Sequence, residues 1–162
     1  IYAPNDPALI QRLKDKGIQV AEVCLHVGYG TFSPVRTKDI REHKMHAEYA
    51  SVSEQTAQLI NDHKNQGSPV IAVGTTSART LEAVAAQYGQ IQEHAGEVNI
   101  YIYPGYDFRV VDAMVTNFHL PESSLLLMVS ALAGRERILA AYEEAVREKY
   151  RFFSYGDAML IL

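Results

Sequence analysis

Cysteine is almost absent from this sequence, and its scarcity excludes a class of folds. The one thiol, Cys24, cannot form an internal disulfide, which argues against a disulfide-stabilised secreted scaffold and makes a reducing cytoplasm the expected location. Because Cys24 lies in an apolar run, we expect it to be a small buried residue.

Long apolar segments and a leader are missing as well. No run of about 18 uncharged apolar residues occurs, which argues against a membrane-spanning helix. No signal peptide is recognisable, although the chain begins at Ile1 rather than at a methionine, so we expect a piece of a longer or processed protein. The sequence also contains no internal repeats and no low-complexity segments.

An excess of positive charge is missing too. The formal net charge is -4 at pH 7, which argues against broad non-specific binding of nucleic acid, although a local basic patch remains possible. Metal-binding spacings are also absent. His43, His46 and Glu48 lie close together, but without an H-E-x-x-H pattern or a cysteine pair, so we predict no metal site.

What the chain does contain is the pattern of a single α/β domain. Its 162 residues suffice for one core, and 48% of them are apolar. The predicted strands are 18–27, 46–52, 69–74, 98–103, 113–115 and a last one from about residue 158. The predicted helices are 7–16, 53–66, one after residue 77, 125–132 and 135–149, with 87–97 as a loop. This alternation predicts an α/β fold with a largely parallel sheet, helices on both faces, and 70–73 and 113–115 among the central strands.

Residues 112–134 carry the most informative pattern. A short predicted strand leads through 116–123 into an apolar run whose helix we expect to be buried, with Pro121 in its first turn. In α/β folds ligands bind where strand ends meet helix starts, because the N–H groups there lack partners. Asn117, His119 and Glu122 are therefore candidate site residues. Ordinary helix capping is the alternative, but a cap has no use for an imidazole.

A second strand-to-helix connection follows the apolar run 69–74. Thr75 and Thr76 lie in the connection that leads into the predicted helix, and Arg79 lies in the first turn of that helix, where a positive charge opposes the helix dipole. A carboxylate or phosphate ligand would explain this arginine, and a salt bridge to Glu82 is the alternative. Because neighbouring parallel strands end at one edge of a sheet, we expect these residues near Asn117 and His119.

Two further patterns leave their interpretation open. Gly28 and Gly30 directly follow a predicted strand, but Ser33 stands where a third glycine would complete G-x-G-x-x-G, so a dinucleotide or ordinary methyltransferase fingerprint is not claimed. Alternation in 46–52 would place His46 and Glu48 on one face of a strand. There they could share a site or form a solvated edge.

Several long strings together resemble one family. LHVGYGTFSPV, HKMHAEY, VIAVGTTSARTLE, YIYPGYDFRVVDAMVTNFHLPESSLLLMVSALAG and EKYRFFSYGDAMLI are similar to the C-terminal half of the S-adenosylmethionine:tRNA ribosyltransferase-isomerases of queuosine biosynthesis. The resemblance runs from about Pro7 to Leu162. It implies transfer and isomerisation of the ribosyl group of S-adenosylmethionine onto the aminomethyl group of a tRNA 7-deazaguanine, giving epoxyqueuosine and releasing adenine and methionine.

The resemblance also implies a larger parent protein. Family chains are much longer and contain an α/β domain interrupted by a β-barrel, so residues 1–162 would be the C-terminal part of the α/β domain, without the barrel and the N-terminal segment. An Ala/Pro/Thr-rich loop ending in Gly-Leu-His-Phe is also missing before the first helix. The implied partner is a tRNA with a GUN anticodon that carries the 7-deazaguanine precursor. S-adenosylmethionine is consumed as a substrate, no further cofactor is implied, and we expect a monomer.

We assign roles to individual residues from their type and placement. The reaction needs a base beside the sulfonium, help for the leaving adenine, a holder for the sulfonium and a site for the methionine carboxylate. The predicted catalytic residues are His119, His46, His26 and Glu48. The predicted substrate-binding residues are Thr75, Thr76, Arg79, Tyr103, Tyr106, Asn117 and Glu122. The predicted tRNA-binding residues are Arg135, Arg137, Lys149 and Arg151.

Two other classes of function remain as alternatives. An S-adenosylmethionine-dependent methyltransferase would fit the α/β pattern but lacks the complete glycine motif. A non-catalytic tRNA-binding module would fit a local basic patch but is disfavoured by the acidic overall charge.

Overall fold

The protein is a mixed α/β structure with two small sheets. The computed structural model describes residues 7–26, 28 and 34–162. The helices in these residues are α1 (Pro7–Asp15), α2 (Glu54–Asn65), α3 (Thr75–Tyr88), α4 (Ser124–Ala133) and α5 (Arg135–Arg147), with a short 3-10 turn at Ile40–Glu42. The strands are β1 (Cys24–His26), β2 (Glu48–Val52), β3 (Ile71–Val73), β4 (His94–Val98), β5 (Ala113–Asn117) and β6 (Ala158–Ile161).

The first sheet has the order β1-β2-β4, and both of its strand pairs are antiparallel. Its central strand buries Glu48, Ala50 and Val52 on one face, which confirms the predicted alternation within β2. His46 lies before the strand begins and is exposed, so the structure does not place it on the same strand face as Glu48.

The second sheet has the order β3-β5-β6. β3 and β5 are parallel, whereas β5 and β6 are antiparallel. The expectation of a largely parallel sheet is therefore wrong for the described residues. The reason is that α4 and α5 follow each other directly. One helix between two strands returns the chain parallel to its first strand, and a second helix reverses that direction.

β3 is an edge strand, so the prediction that 70–73 is central is wrong, while 113–115 is confirmed as central. Side chains directly opposite each other share a face of the sheet. Ala72, Met114 and Ile161 are buried on the inner face, while Ile71, Val73 and Leu160 on the outer face are exposed. The expected helices on both faces are thus absent from this sheet within the residues that the structure describes.

Helix α3 forms the centre of the core. It contacts strands of both sheets, and ten of its 14 residues are buried. Its apolar residues Leu81, Val84 and Ala85 pack in one cluster with Met114 of β5 and Met128 of α4. This packing fixes the first turn of α3 beside both sheets.

The predicted helices are confirmed, and their ends differ in detail. Ser53, the first residue of the predicted range 53–66, caps α2, because its Oγ accepts a hydrogen bond from the Thr56 N–H. The cap of α4 is Ser123, so Pro121 precedes the helix instead of lying in its first turn. In α5, the spacing of the apolar residues predicts one inward face formed by Ile138, Leu139, Tyr142 and Val146. Ile138 is buried and Tyr142 partly so, but Leu139 and Val146 are exposed, so the prediction is wrong for these two.

Two predicted strands are wrong in extent. The strand predicted at 18–27 is reduced to β1, a three-residue edge strand that turns Leu25 inward and leaves Cys24 exposed, so the expectation of a buried thiol is also wrong. Four of the five residues of β4, 94–97, lie in the segment predicted as a loop, and they form a strand because the backbone pairs with β2 along the whole of β4. Residues 99–103 form no strand, although Ile102 is buried in the core.

Candidate functional site

Two strand-to-helix connections lie side by side in the second sheet, as predicted. Val73 pairs with Val115, and the Gly74 N–H donates to the Val115 carbonyl at 2.8 Å. Gly74 has a φ of 91°, which favours glycine and lets α3 begin directly after β3. The start of α3 and the connection after β5 therefore occupy the same edge of the sheet.

A buried ion pair lies in the second turn of α3, because the helix begins at Thr75 and Arg79 is its fifth residue instead of a first-turn residue as predicted. The Arg79 guanidinium contacts the Glu48 carboxylate of β2, and both side chains are almost completely buried. Burial lowers the pKa of Arg79, while the adjacent carboxylate favours its charged form. Within the described residues Arg79 therefore has an internal carboxylate partner, and the predicted alternative of a salt bridge to Glu82 is wrong.

Glu48 also holds the backbone of the glycine-containing segment. Its Oε1 accepts a hydrogen bond from the Gly28 N–H at 3.0 Å. At the other end, the Val35 N–H donates to the Glu122 carbonyl at 2.8 Å, and Pro34 bridges Ser123. The predicted turn itself, with Gly30 and Ser33, falls outside the described residues, but both of its flanks are anchored to the candidate site.

Thr75 and Thr76 are buried at the start of α3. The helix has Gly74 at its N-cap, and no side chain accepts a hydrogen bond in the capping position. Such a helix start presents backbone N–H groups that suit an anion.

His119 lies on the neighbouring connection and is buried. Its Nε2 is 3.1 Å from the Thr116 Oγ1, and its backbone N–H donates to the Tyr142 hydroxyl at 2.7 Å. Burial lowers the pKa of His119 to about 4, because the charged imidazolium loses its hydration. The imidazole is consequently neutral at pH 7. In this form one ring nitrogen can donate a hydrogen bond and the other can accept one.

The other predicted residues of this connection face outward. The Asn117 Nδ2 donates to the Asp157 carbonyl at 3.0 Å, and Asn117 is exposed. Glu122 is also exposed and has a φ of 59°, and its carbonyl holds Val35. These side chains are accessible from outside, whereas His119 and Thr116 lie beneath them.

Glu82 is a buried residue of the site region to which the sequence analysis gave no role beyond a possible salt bridge. Its carboxylate is fully buried and accepts hydrogen bonds from the Tyr106 hydroxyl and from the N–H groups of Arg109, Val110 and Val111. Burial and the Glu82 charge raise the pKa of Tyr106. The sequence does contain a signal for this buried role, because Glu82 lies on the apolar face of α3 that Leu81, Val84 and Ala85 define.

Tyr103 and Tyr106 flank the turn at Pro104 and Gly105, and the Tyr106 N–H donates to the Tyr103 carbonyl. The Tyr103 ring stacks at a tilt against Tyr101, with 5.0 Å between ring centroids. The structure thus brings the two predicted aromatic residues together and holds Tyr106 on α3 through Glu82.

The remaining predicted catalytic histidines do not join His119. His26 is exposed at the end of β1, with its ring edge-on to Tyr49, and His46 is exposed before β2. Among the described residues no contact connects either of them with the buried imidazole. The predicted catalytic set is therefore divided between a buried part and two surface positions.

The four predicted tRNA-binding residues are all exposed, but they form two groups. Arg135 and Arg137 lie in the first turn of α5, while Lys149 and Arg151 follow its end. A helix of 13 residues is about 20 Å long, so the groups are separated by that distance. Arg151 binds Asp157 through three hydrogen bonds, one from its backbone N–H and two from its guanidinium, and these contacts lower the pKa of Asp157.

The concave surfaces of the described residues differ in character. A small cleft beside Arg79 is lined by Tyr101, Ile102, Ser124 and Leu125. A broader polar groove lies between α2 and residues 90–93, with carboxylates of Glu54 and Glu93 at its rim. We assign the site to the first, because Arg79 of α3 and the first two residues of α4, Ser124 and Leu125, line it. Within the described part of the chain, no helix is long and apolar enough to cross a membrane.

Comparison with known proteins agrees over nearly the whole chain. The S-adenosylmethionine:tRNA ribosyltransferase-isomerase of Nitratidesulfovibrio vulgaris is 60% identical over 155 residues, which cover 96% of this chain and 42% of that protein. The protein of the same name from Desulfitobacterium hafniense is 54% identical over 156 residues, covering 46% of its length. The chain spans less than half the length of these relatives.

A solved structure supports the fold. The crystal structure of an S-adenosylmethionine tRNA ribosyltransferase from Thermotoga maritima matches with a TM-score of 0.80 and 46% sequence identity, over 96% of this chain and 49% of that one. The sequence pattern of the family described as "Queuosine biosynthesis protein" matches residues 4–161. The chain therefore belongs to the queuosine biosynthesis protein family.

Proposed function

We propose that the protein containing this chain is an S-adenosylmethionine:tRNA ribosyltransferase-isomerase. The observation that carries the proposal is the identity of 54–60% over 96% of the chain with proteins of that name. Its substrates are S-adenosylmethionine and a tRNA with a GUN anticodon carrying an aminomethyl-7-deazaguanine. Its products are epoxyqueuosine in the tRNA, adenine and methionine. No cofactor is needed, and the protein acts in the cytoplasm as a monomer.

The chemistry divides between the two connections. The N–H groups at the start of α3, with Thr75 and Thr76, bind the methionine carboxylate in this proposal, which is supported by the preference of a helix start for an anion. Arg79 supports this site from the protein interior. Because its charge faces Glu48, it does not act as the sole cation that contacts the ligand. The tyrosine rings at 103 and 106 supply faces for the positively charged sulfonium.

His119 acts in this proposal as a neutral hydrogen-bonding group. With its pKa near 4, the imidazole stays neutral during turnover at pH 7. Thr116 orients the Nε2, and the Tyr142 hydroxyl holds the backbone, so the ring has a fixed position. A fixed neutral imidazole can bind the leaving adenine or the ribosyl hydroxyls, with Asn117 and Glu122 at the open side of the same connection.

Glu48 acts as a positioning residue. It is ion-paired and buried, and its second role is to accept a hydrogen bond from the Gly28 N–H, so its carboxylate holds Gly28 beside Arg79. The proton beside the sulfonium is then removed by a group on the accessible side. His26 and His46 are exposed candidates for that base if the bound substrate reaches β1 and the start of β2.

The proposal is tested by incubating the chain with S-adenosylmethionine and precursor-bearing tRNA, followed by nucleoside mass analysis. The 162-residue chain and a version extended to the length of its relatives are assayed in parallel. Epoxyqueuosine, adenine and methionine in equal amounts are the expected products. A methylated nucleoside together with S-adenosylhomocysteine would instead identify the protein as a methyltransferase. Binding of tRNA without any product in either version would identify it as a non-catalytic tRNA-binding module.

A further inference from the structure

An exposed aromatic segment connects α5 to β6. Residues 148–157, here called the aromatic loop, contain Tyr150, Phe152, Phe153 and Tyr155. Tyr155 is 73% exposed, Tyr150 48% and Phe153 38%. Large aromatic side chains lower the free energy of folding mainly when they are buried, so exposing three of them in one loop contributes little to stability.

The aromatic loop has a fixed backbone. The α5 end is closed by hydrogen bonds from Lys149 to Val146 and from Tyr150 to Ala145, with Lys149 at a φ of 60°. This is the arrangement in which glycine is usually found, because a side chain at positive φ is strained. Further along, Arg151 binds Asp157 through its backbone N–H and its guanidinium.

The middle of the loop is strained as well and is attached to the candidate site. Phe153 has a φ of 63°, which is rare for a bulky residue, and its N–H donates to the Phe118 carbonyl at 2.8 Å. The ring of Phe118, the neighbour of His119, packs on Tyr150 and Phe152 with centroids 5.6 and 5.3 Å apart. Strain of this kind persists where the surrounding structure fixes it, and it is concentrated at functional sites.

Basic residues alternate with the aromatic ones. Lys149 and Arg151 stand on either side of Tyr150, and both are exposed in a chain whose net charge is -4. Exposed aromatic rings interleaved with lysine and arginine are typical of surfaces that bind single-stranded nucleic acid, where bases stack on the rings and phosphates face the cations. A duplex would not fit such a surface, because its bases are already stacked.

We propose that the aromatic loop binds unpaired bases of the tRNA by stacking on Tyr155 and Tyr150, with Lys149 facing a phosphate. The inference rests on the proposed function, since it names the RNA contact of the same site. The loop is bonded to the β5–α4 connection through Phe118 and through the Asn117 contact with Asp157. Bases held there lie beside the connection that carries His119.

The decisive experiment compares the affinity for an anticodon stem-loop RNA with that for a fully paired duplex of equal charge. Tyr155→Ala is expected to weaken stem-loop binding about 5- to 100-fold, because stacking on one ring is lost. Tyr155→Phe keeps the ring and should remain within about twofold of wild type. The matched control is Tyr88→Ala, which removes an exposed tyrosine at the far end of α3.

A second variant tests the charge without loosening the loop. Lys149→Gly removes one cation and relieves the positive φ, so melting temperature should stay or rise while the salt dependence of stem-loop binding falls by about 0.7 in its logarithmic slope. Tyr155→Ala leaves that slope unchanged, because it removes no charge.

Several outcomes would overturn the inference. The first is a Tyr155→Ala variant that binds the stem-loop with wild-type affinity, and the second is a variant that loses affinity for the duplex by the same factor as for the stem-loop. The third is a change of oligomeric state in this variant without a change of RNA affinity, which would identify the loop as a protein contact. The assay of nucleoside products is independent of these measurements. A wild-type protein that binds the stem-loop through Tyr155 without forming epoxyqueuosine would refute the proposed function and leave this inference intact.

Discussion

At the scale of single residues, the Glu82 carboxylate shows how a charge can organise a core. Four donors converge on two oxygens in a fully buried position, three of them backbone N–H groups of residues 109–111. We expect Glu82→Gln to lower the free energy of unfolding by about 3 kcal/mol or more, because an amide nitrogen would face N–H groups and leave buried donors unpaired. Urea unfolding measures the loss.

The matched control for that substitution is Glu97→Gln, an exposed carboxylate on β4, which should change stability by less than about 0.5 kcal/mol. Equal, small losses in both variants would show that the hydrogen bonds to Glu82 do not hold residues 109–111 in place.

Protonation of His119 makes stability depend on pH. In the unfolded chain the imidazole binds a proton near pH 6.5, but in the folded chain only near pH 4. Between these values the unfolded state therefore binds more protons, so stability falls as the pH decreases from about 6.5 to 4 and is unaffected above that window. The full effect is up to about 3 kcal/mol.

Urea unfolding of wild type and of His119→Gln at pH 4.5, 5.5 and 7 isolates this contribution, since other acidic groups act equally in both proteins. The difference between them should shrink as the pH falls. A pH-independent difference would mean that the imidazole is not buried in its neutral form.

His119 also has an expected kinetic signature. In the version extended to the length of the relatives, His119→Gln should reduce kcat by a factor that is the same from pH 5.5 to 8, because the imidazole is neutral throughout. Proton transfer would instead give a loss of roughly 10² to 10⁴-fold together with an altered pH profile. A loss below about threefold with a lower melting temperature would show that His119 only stabilises the β5–α4 connection.

At the scale of elements, Gly134 lets α5 follow α4 directly, and this pair of helices makes β6 antiparallel to β5. It is the C-cap of α4 and the N-cap of α5, with a φ of 90° and ψ of 138°, and no atom would clash with an added Cβ. Gly134→Ala should therefore cost about 1–3 kcal/mol through backbone strain alone. Gly96→Ala, in β4 at ordinary φ, is the control and should be close to neutral. Thermal unfolding of both variants measures the difference, and equal melting temperatures would contradict the argument.

The helices could be predicted from sequence because their signals are local. Ser53 and Gly67 bound α2, and the apolar run after Ser124 is long enough to indicate α4. The strands are harder, because β4 owes its existence to pairing with β2, and its own residues favour a loop. Likewise Thr75 and His119 could be placed at neighbouring strand ends, but the partner of Arg79 comes from a strand 31 positions earlier, which no local pattern reveals.

At the scale of the whole molecule, the four predicted tRNA-binding residues are divided between the two ends of α5. Replacing Arg135 and Arg137 by glutamate should weaken tRNA binding and flatten its salt dependence if that end lies against the phosphates. The control reverses Arg12 and Lys14, two exposed cations of α1. Equal effects of the two double variants on tRNA affinity would indicate long-range electrostatic attraction only. Wild-type affinity in the variant at Arg135 and Arg137 would mean that the aromatic loop, and not this end of α5, contacts the tRNA.

The Glu48–Arg79 pair has a practical consequence for such measurements. Counter-ions in solution screen charges that they can approach, over about 8 Å at physiological ionic strength, but they do not enter a buried pair. Raising the salt concentration should therefore release bound RNA while Gly28 stays anchored beside Arg79. A column wash in strong salt can thus strip nucleic acid from the purified protein and still leave the Glu48–Arg79 pair and its contact with Gly28 intact.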